Sequence, residues 1–158
     1  DVLKPVIYGK LGNMRGGIGG LALNEYAANL IAIDQLDDAE KILNQVLEDQ
    51  DSADYFNDAY NLMGIALDAR GQHAEAEQMF RQALEGWRGD ATSVMNNLAL
   101  CLANEGKFDE SLTLLRQALV MAPAKEEIAR NIDLVSNLRD KVIPSAPLQL
   151  DPLDRIKK

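Results

Sequence analysis

Cysteine and histidine are almost absent: the 158 residues hold one of each, Cys101 and His73. A single thiol excludes an internal disulfide and leaves the redox compartment open. A lone cysteine and a lone histidine supply neither a zinc ligand set nor a nucleophile with its base, so no catalytic residue, metal ligand or cofactor is assigned and no enzymatic activity is expected. Cys101 reads as a small core residue of a helix, and His73 as a solvated residue opening one. Aromatic residues reach only 5% and β-branched runs are scarce, which disfavours a sheet. No run of about 18 apolar residues exists, so no segment is expected to span a membrane, and no charged-then-apolar leader is found. Basic residues are also short, 16 against 25 acidic ones, for a net charge of -9. Nucleic-acid binders cluster Lys and Arg, so a phosphate-binding surface is not expected.

Glycine is concentrated near the start, between Gly9 and Gly20. A phosphate-cradling loop needs Gly-Lys followed by Ser or Thr after a strand, whereas Gly9-Lys10 is followed by Leu11 and more glycine. Residues 1–19 therefore read as an apolar, glycine-rich lead-in, flexible or irregularly helical, ahead of a helix from about Leu21 to Ile33. Its Val2, Leu3, Val6, Ile7 and Tyr8 are apolar enough to cover the first helix pair or to support self-association. The chain starts at Asp1 without a methionine. That reads as a processed fragment, from which a signal peptide or lipid anchor has room to have been removed.

What the chain has in abundance is one helix-turn-helix pattern, present three times. In the middle copy Tyr60, Met63, Gly64 and Leu67 lie on a first helix, Gly71 at the turn, and Ala76, Phe80 and Ala83 on a second. The third copy holds Met95, Leu98, Ala99, Leu102, Gly106, Ser111, Leu115, Ala118 and Pro123 at the same places. The first holds Leu23, Tyr26, Ala27, Leu30, Ala39, Leu43 and Val46, with Asp34 where the turn glycine belongs. Small residues at Gly64 and Ala76 are expected to face each other where two helices cross, with Tyr60 and Phe80 filling the space beside them. A period of about 34 residues with this pattern resembles the tetratricopeptide repeat family. The resemblance implies an all-α fold, a right-handed α-α superhelix of three helix pairs over residues 20–53, 57–90 and 92–125.

Ile128, Ile132, Val135, Leu138 and Val142 recur at helical spacing. Residues 126–143 read as the capping helix that a terminal repeat needs, because Pro144 blocks a following helix. The tail 144–158 carries Pro144, Pro147 and Pro152 and reads as extended, a linker or a docking peptide through Leu148, Leu150 and Leu153.

For function, the resemblance implies a concave groove lined by the three first helices. Asn24, Asn61 and Asn96 recur at one place, with Asn97 beside the last. Amides donate and accept, so these either hold the main chain of a peptide or bond between helices. Glu25, Ala28, Ile31, Leu62, Ile65, Asp68, Leu100 and Asn104 complete the expected groove. The related chaperone cofactors clamp a terminal carboxylate with Lys and Arg, but the matching places here hold Asn24, Ala28, Leu62, Ser93 and Asn97. A neutral or basic segment of a protein partner fits better. Acidic residues from Asp34 to Asp58, among them Asp37, Asp38 and Glu40, form either a solvated face or a docking face for a basic partner.

The expected function is a non-enzymatic protein-interaction scaffold, periplasmic or cytoplasmic. A second reading rests on a likeness to the tetratricopeptide lipoprotein of the bacterial tight-adherence pilus system. It would make the chain a membrane-anchored periplasmic factor for pilus or secretion assembly.

Overall fold

A computed structural model of the protein describes the backbone of residues 17–142 and the side chains of residues 19–142. The apolar stretch from Val2 to Tyr8, the glycine-rich residues up to Gly16 and the tail from Pro144 lie outside the described residues. Among the described residues all regular structure is helical: α1 (Gly17–Ala32), α2 (Leu36–Glu48), a 3-10 helix η1 (Gln50–Tyr55), α3 (Phe56–Ala69), α4 (His73–Glu85), α5 (Thr92–Asn104), α6 (Phe108–Met121) and α7 (Glu126–Val142). Each helix packs on the next, and α1, α3, α5 and α7 also touch their neighbours in that series. The protein is thus a stack of three helix pairs closed by α7, which occupies the place of a further first helix.

The three turns within the pairs have one shape. Asp34, Gly71 and Gly106 take the left-handed conformation, at φ 60, 80 and 79°. The following amides, of Gln35, Gln72 and Lys107, donate to Leu30, Leu67 and Leu102 carbonyls at 2.8, 3.0 and 2.8 Å. This is the bond that closes a helix end on a left-handed residue. Asp34, which interrupts the glycine pattern, is bent as the glycines are, and bears the steric cost they avoid.

Close approach explains two other glycines. A Cβ on Gly64 would come within 2.7 Å of the Phe80 ring, so this glycine admits Phe80, the ring expected to fill the space beside the crossing. A Cβ on Gly20 would meet Ser52 Oγ and Tyr55 Cδ2, both at 2.8 Å. The end of the glycine-rich stretch is therefore a helical surface against which η1 lies, and α1 begins four residues before the expected Leu21.

One core runs from α1 to α5, with Ile42, Leu43, Val46, Phe80 and Leu98 almost fully buried, and a second joins α5, α6 and α7 through Leu112, Leu115, Ile128 and Val135. Each such side chain contributes about 1.5–3 kcal/mol on burial. Ser111, at the small-residue place of the third pair, is fully buried and donates to the Ala99 carbonyl at 2.5 Å. Full burial along α7 stops at Val135. Leu134, Leu138 and Val142 are exposed, so Leu138 and Val142 do not pack with the stripe in which the spacing put them.

Ion pairs tie successive pairs together. Arg70 meets Asp37 and Glu40, bringing a cation onto the acidic first pair from the next turn. Lys107 reaches Glu77 at 2.6 Å, and Arg81 bridges Glu77 and Glu110. Burial opposes ionisation of Glu77, yet hydrogen bonds from Lys107 and Arg81 hold its pKa down to about 2.

Candidate functional site

α1, α3, α5 and α7 carry the matched asparagines, and the structure bonds these from one helix to the next. Asn97 Nδ2 donates to Asn61 Oδ1 at 3.1 Å, and Asn131 Nδ2 donates to Asn96 Oδ1 at 2.8 Å. In both rungs the acceptor is the recurring asparagine. The donor stands on the following first helix, one place beyond the recurring position. A parallel contact lies nearer the carboxyl ends, where Asn104 Nδ2 donates to both oxygens of Asp68 at 3.4 and 3.2 Å. Asp68 Oδ1 also lies 2.6 Å from His73 Nδ1. A carboxylate only accepts, so Nδ1 carries the proton, and His73 is tied to Asp68 where simple solvation was expected.

The junction between α1 and α3 breaks this register. Its acceptor place holds Asn24, but the donor place after Asn61 is Leu62, whose side chain has no N–H to offer. Asn24 is only 5% exposed. Its Nδ2 donates to the Tyr55 carbonyl at 3.0 Å, while its Oδ1 is buried without a hydrogen-bond partner. Buried polar atoms are seldom left so.

Two depressions open along this row of helices. One, of about 280 Å³, lies at the α1–α3 junction and is lined by Leu21, Asn24, Glu25, Ala28, Asp58, Asn61 and Leu62. The other, of about 80 Å³, lies between α5 and α7 and is lined by Thr92, Ser93, Asn96, Asn97, Lys125, Glu127 and Ile128. The first brings together five of the predicted groove residues: Asn24, Glu25, Ala28, Asn61 and Leu62. The second holds Asn96 and Asn97. Ile31, Ile65, Asp68, Leu100 and Asn104 line neither. Ile31 and Ile65 pack on the first core and Leu100 on the second.

The depressions differ in charge. Acidic Glu25 and Asp58 border the first, and none of its lining residues is basic. Asp58 is an exposed residue, and partial burial of its carboxyl raises its pKa. In the second, Lys125 Nζ donates to Asp90 Oδ2 at 2.8 Å and Thr92 Oγ1 at 2.6 Å. The hydrogen bonds from Lys125 and Thr92 hold the Asp90 carboxyl well below the usual carboxylate range.

Sequence reasoning missed Asn131 and Tyr55 as partners of the asparagines. Asn131 stands 35 residues after Asn96, within the repeat period, and that spacing was the available signal. It went unread because residues 126–143 were assigned to a cap, without a place in the repeat. Tyr55 bonds through its backbone carbonyl, which no side-chain pattern announces.

Among the described residues no group of three or more His, Cys, Asp or Glu is placed to hold a metal ion, and no helix is long and apolar enough to cross a membrane. Cys101 is fully buried, with Sγ donating to the His73 carbonyl at 3.1 Å. Burial, with Asp68 adding to it, pushes the thiol up to about 12, so it is not a nucleophile in the folded protein. No curated protein matches the chain. The family described as tetratricopeptide repeat matches twice, over residues 27–91 and 61–126. With that match covering most of the chain and the helices stacked in consecutive pairs, the protein belongs to the tetratricopeptide repeat family.

Proposed function

We propose that this chain is a protein-interaction scaffold that takes an extended segment of a partner protein against the face of α1, α3, α5 and α7. Tetratricopeptide repeats are in general protein-protein interaction modules. The observation that carries the reading here is the row of half-used amides. Each rung consumes one N–H of its donor asparagine and one lone pair of its acceptor, so Asn61 and Asn97, both part-exposed, keep further N–H and C=O groups for a main chain. Asn96 is buried, and its Oδ1 is already taken by Asn131. No observation favours a pilus or secretion machine over another protein, so the partner is defined by its chemistry alone.

Site-specific photocrosslinking tests this. A benzophenone amino acid replacing Ser93, exposed on the proposed face, is expected to crosslink a partner protein from the source cell. The same group replacing exposed Gln82 on α4 is expected to leave it free. Crosslinking from Gln82 alone would refute the proposal.

A further inference from the structure

We propose that the open α1–α3 junction is the recognition subsite of this face, and that it takes an extended segment alternating apolar and basic residues. A main-chain N–H of that segment donates to Asn24 Oδ1, an apolar side chain rests on Leu21 and Leu62, and a Lys or Arg reaches Glu25 and Asp58. The inference rests on the peptide-binding reading above and assigns it a place and a partner chemistry.

Three observations converge on this junction. The amide register is complete at α3–α5 and α5–α7 and lacks a donor only here, where Leu62 stands in the place of Asn97 and Asn131. The acceptor left over, Asn24 Oδ1, is buried and unpartnered on a residue that lines the depression. A partner's N–H would complete the rung that the chain itself leaves open. Leu21, in the same depression, is 47% exposed, an apolar surface next to a polar need. Charge then selects the flanks: Glu25 and Asp58 border the depression with no cation among its lining residues, which favours a basic segment and repels an acidic one. An extended main chain suits the depression because it keeps its N–H groups unspent and sends alternate side chains to opposite sides. Asn24 Oδ1 is shielded from solvent, so the donor enters with a local shift of the side chains that line the depression.

The structure supplies its own competitor. Leu62→Asn places an amide donor in the register of Asn97 and Asn131 and closes the junction from within. The probe is a fluorescein-labelled peptide Gly-Lys-Leu-Lys-Leu-Gly with a blocked carboxyl end, compared with its Glu counterpart by fluorescence anisotropy. The lysine peptide is expected to bind the wild-type chain at least about tenfold tighter than the glutamate peptide. Leu62→Asn is expected to weaken the lysine peptide about tenfold while leaving the melting temperature equal or higher. Leu21→Lys, at an exposed position with no packing role to lose, should weaken it similarly through charge and serves if Leu62→Asn fails to fold. Gln82→Ala, exposed on α4 and off this face, should change nothing.

Unaltered binding in both Leu62→Asn and Leu21→Lys, with loss in Asn97→Ala, would overturn the subsite while leaving peptide binding to the face intact. Failure of the lysine peptide to bind wild type would overturn the partner chemistry, and the Ser93 crosslink would still decide the wider reading. Light scattering that shows a dimer abolished by Leu62→Asn would put a second copy in the junction and would also overturn the proposal.

Discussion

Gly64→Ala sets two local effects against each other, and the structure decides between them. Glycine inside a helix is less favourable than alanine by about 1 kcal/mol, so intrinsic propensity alone predicts that the substitution stabilises α3. The new Cβ, however, would lie 2.7, 2.8 and 2.9 Å from three atoms of the Phe80 ring. Carbon atoms rest at about 3.5–4.0 Å, so α3 and the ring must part by nearly an ångström. Phe80 is 2% exposed, packed within the core on all sides that solvent would reach. Overpacking of this kind costs about 1–3 kcal/mol, and a rigid buried ring places it in the upper part of that range. The net expectation is a loss of about 1–2 kcal/mol, or a fall in melting temperature of about 3–8 °C for a chain of this size. Thermal unfolding followed by circular dichroism measures it directly. A cycle with Phe80→Leu sharpens the attribution, because the smaller side chain leaves room for the Cβ. The double variant should then lose less than the two single variants summed, with a coupling of about 1 kcal/mol or more. A melting temperature that rises in Gly64→Ala, as propensity alone requires, would refute the packing account of this glycine.

Asp34→Gly should raise stability by about 0.5–1 kcal/mol in the same assay, since glycine takes the left-handed turn without the steric cost; a fall would show that the aspartate contributes something the turn geometry does not reveal. Cys101 should resist a thiol reagent at pH 8 in the folded protein and react fully in denaturant, because burial holds its pKa near 12; rapid labelling of the native state would contradict its place in the core. Glu77 is held at a pKa of about 2 against an ordinary 4.5, so the folded state favours its ionised form. That contribution is present above about pH 4.5 and is lost as pH falls towards 2. Glu77→Gln should therefore lower stability at neutral pH and flatten the stability profile across that window, and a variant as acid-sensitive as the wild type would remove Glu77 from the account.

The helix pairs were legible because their signal is local. Ala27, Gly64, Ala76, Ala83, Ala99 and Ala118 are small at positions a crossing helix must approach, and all are buried as the pattern required. The turn at Asp34 was harder to read, since aspartate tolerates the left-handed conformation without demanding it. The need for glycine at Gly20 is not legible locally, because its reason, the approach of Ser52 and Tyr55, arrives from a segment about thirty residues away.

The candidate site shows the same division. That Asn24, Asn61 and Asn96 belong to one face follows from their common place in the period, and the sequence by itself determined this, together with the all-helical class, the pairing of helices and the acidity of the surface. Only the tertiary structure decided how the amides are used: that Asn97 and Asn131 turn back to the preceding helix, that Leu62 leaves Asn24 Oδ1 without a donor, and that Arg70 returns a cation to Asp37 and Glu40. The physical reason is range. Helical periodicity is set by forces within a few residues and repeats in every unit. A hydrogen bond between stacked helices depends on axial offset and side-chain rotamers across some thirty-five positions, and these are settled only when the helices pack.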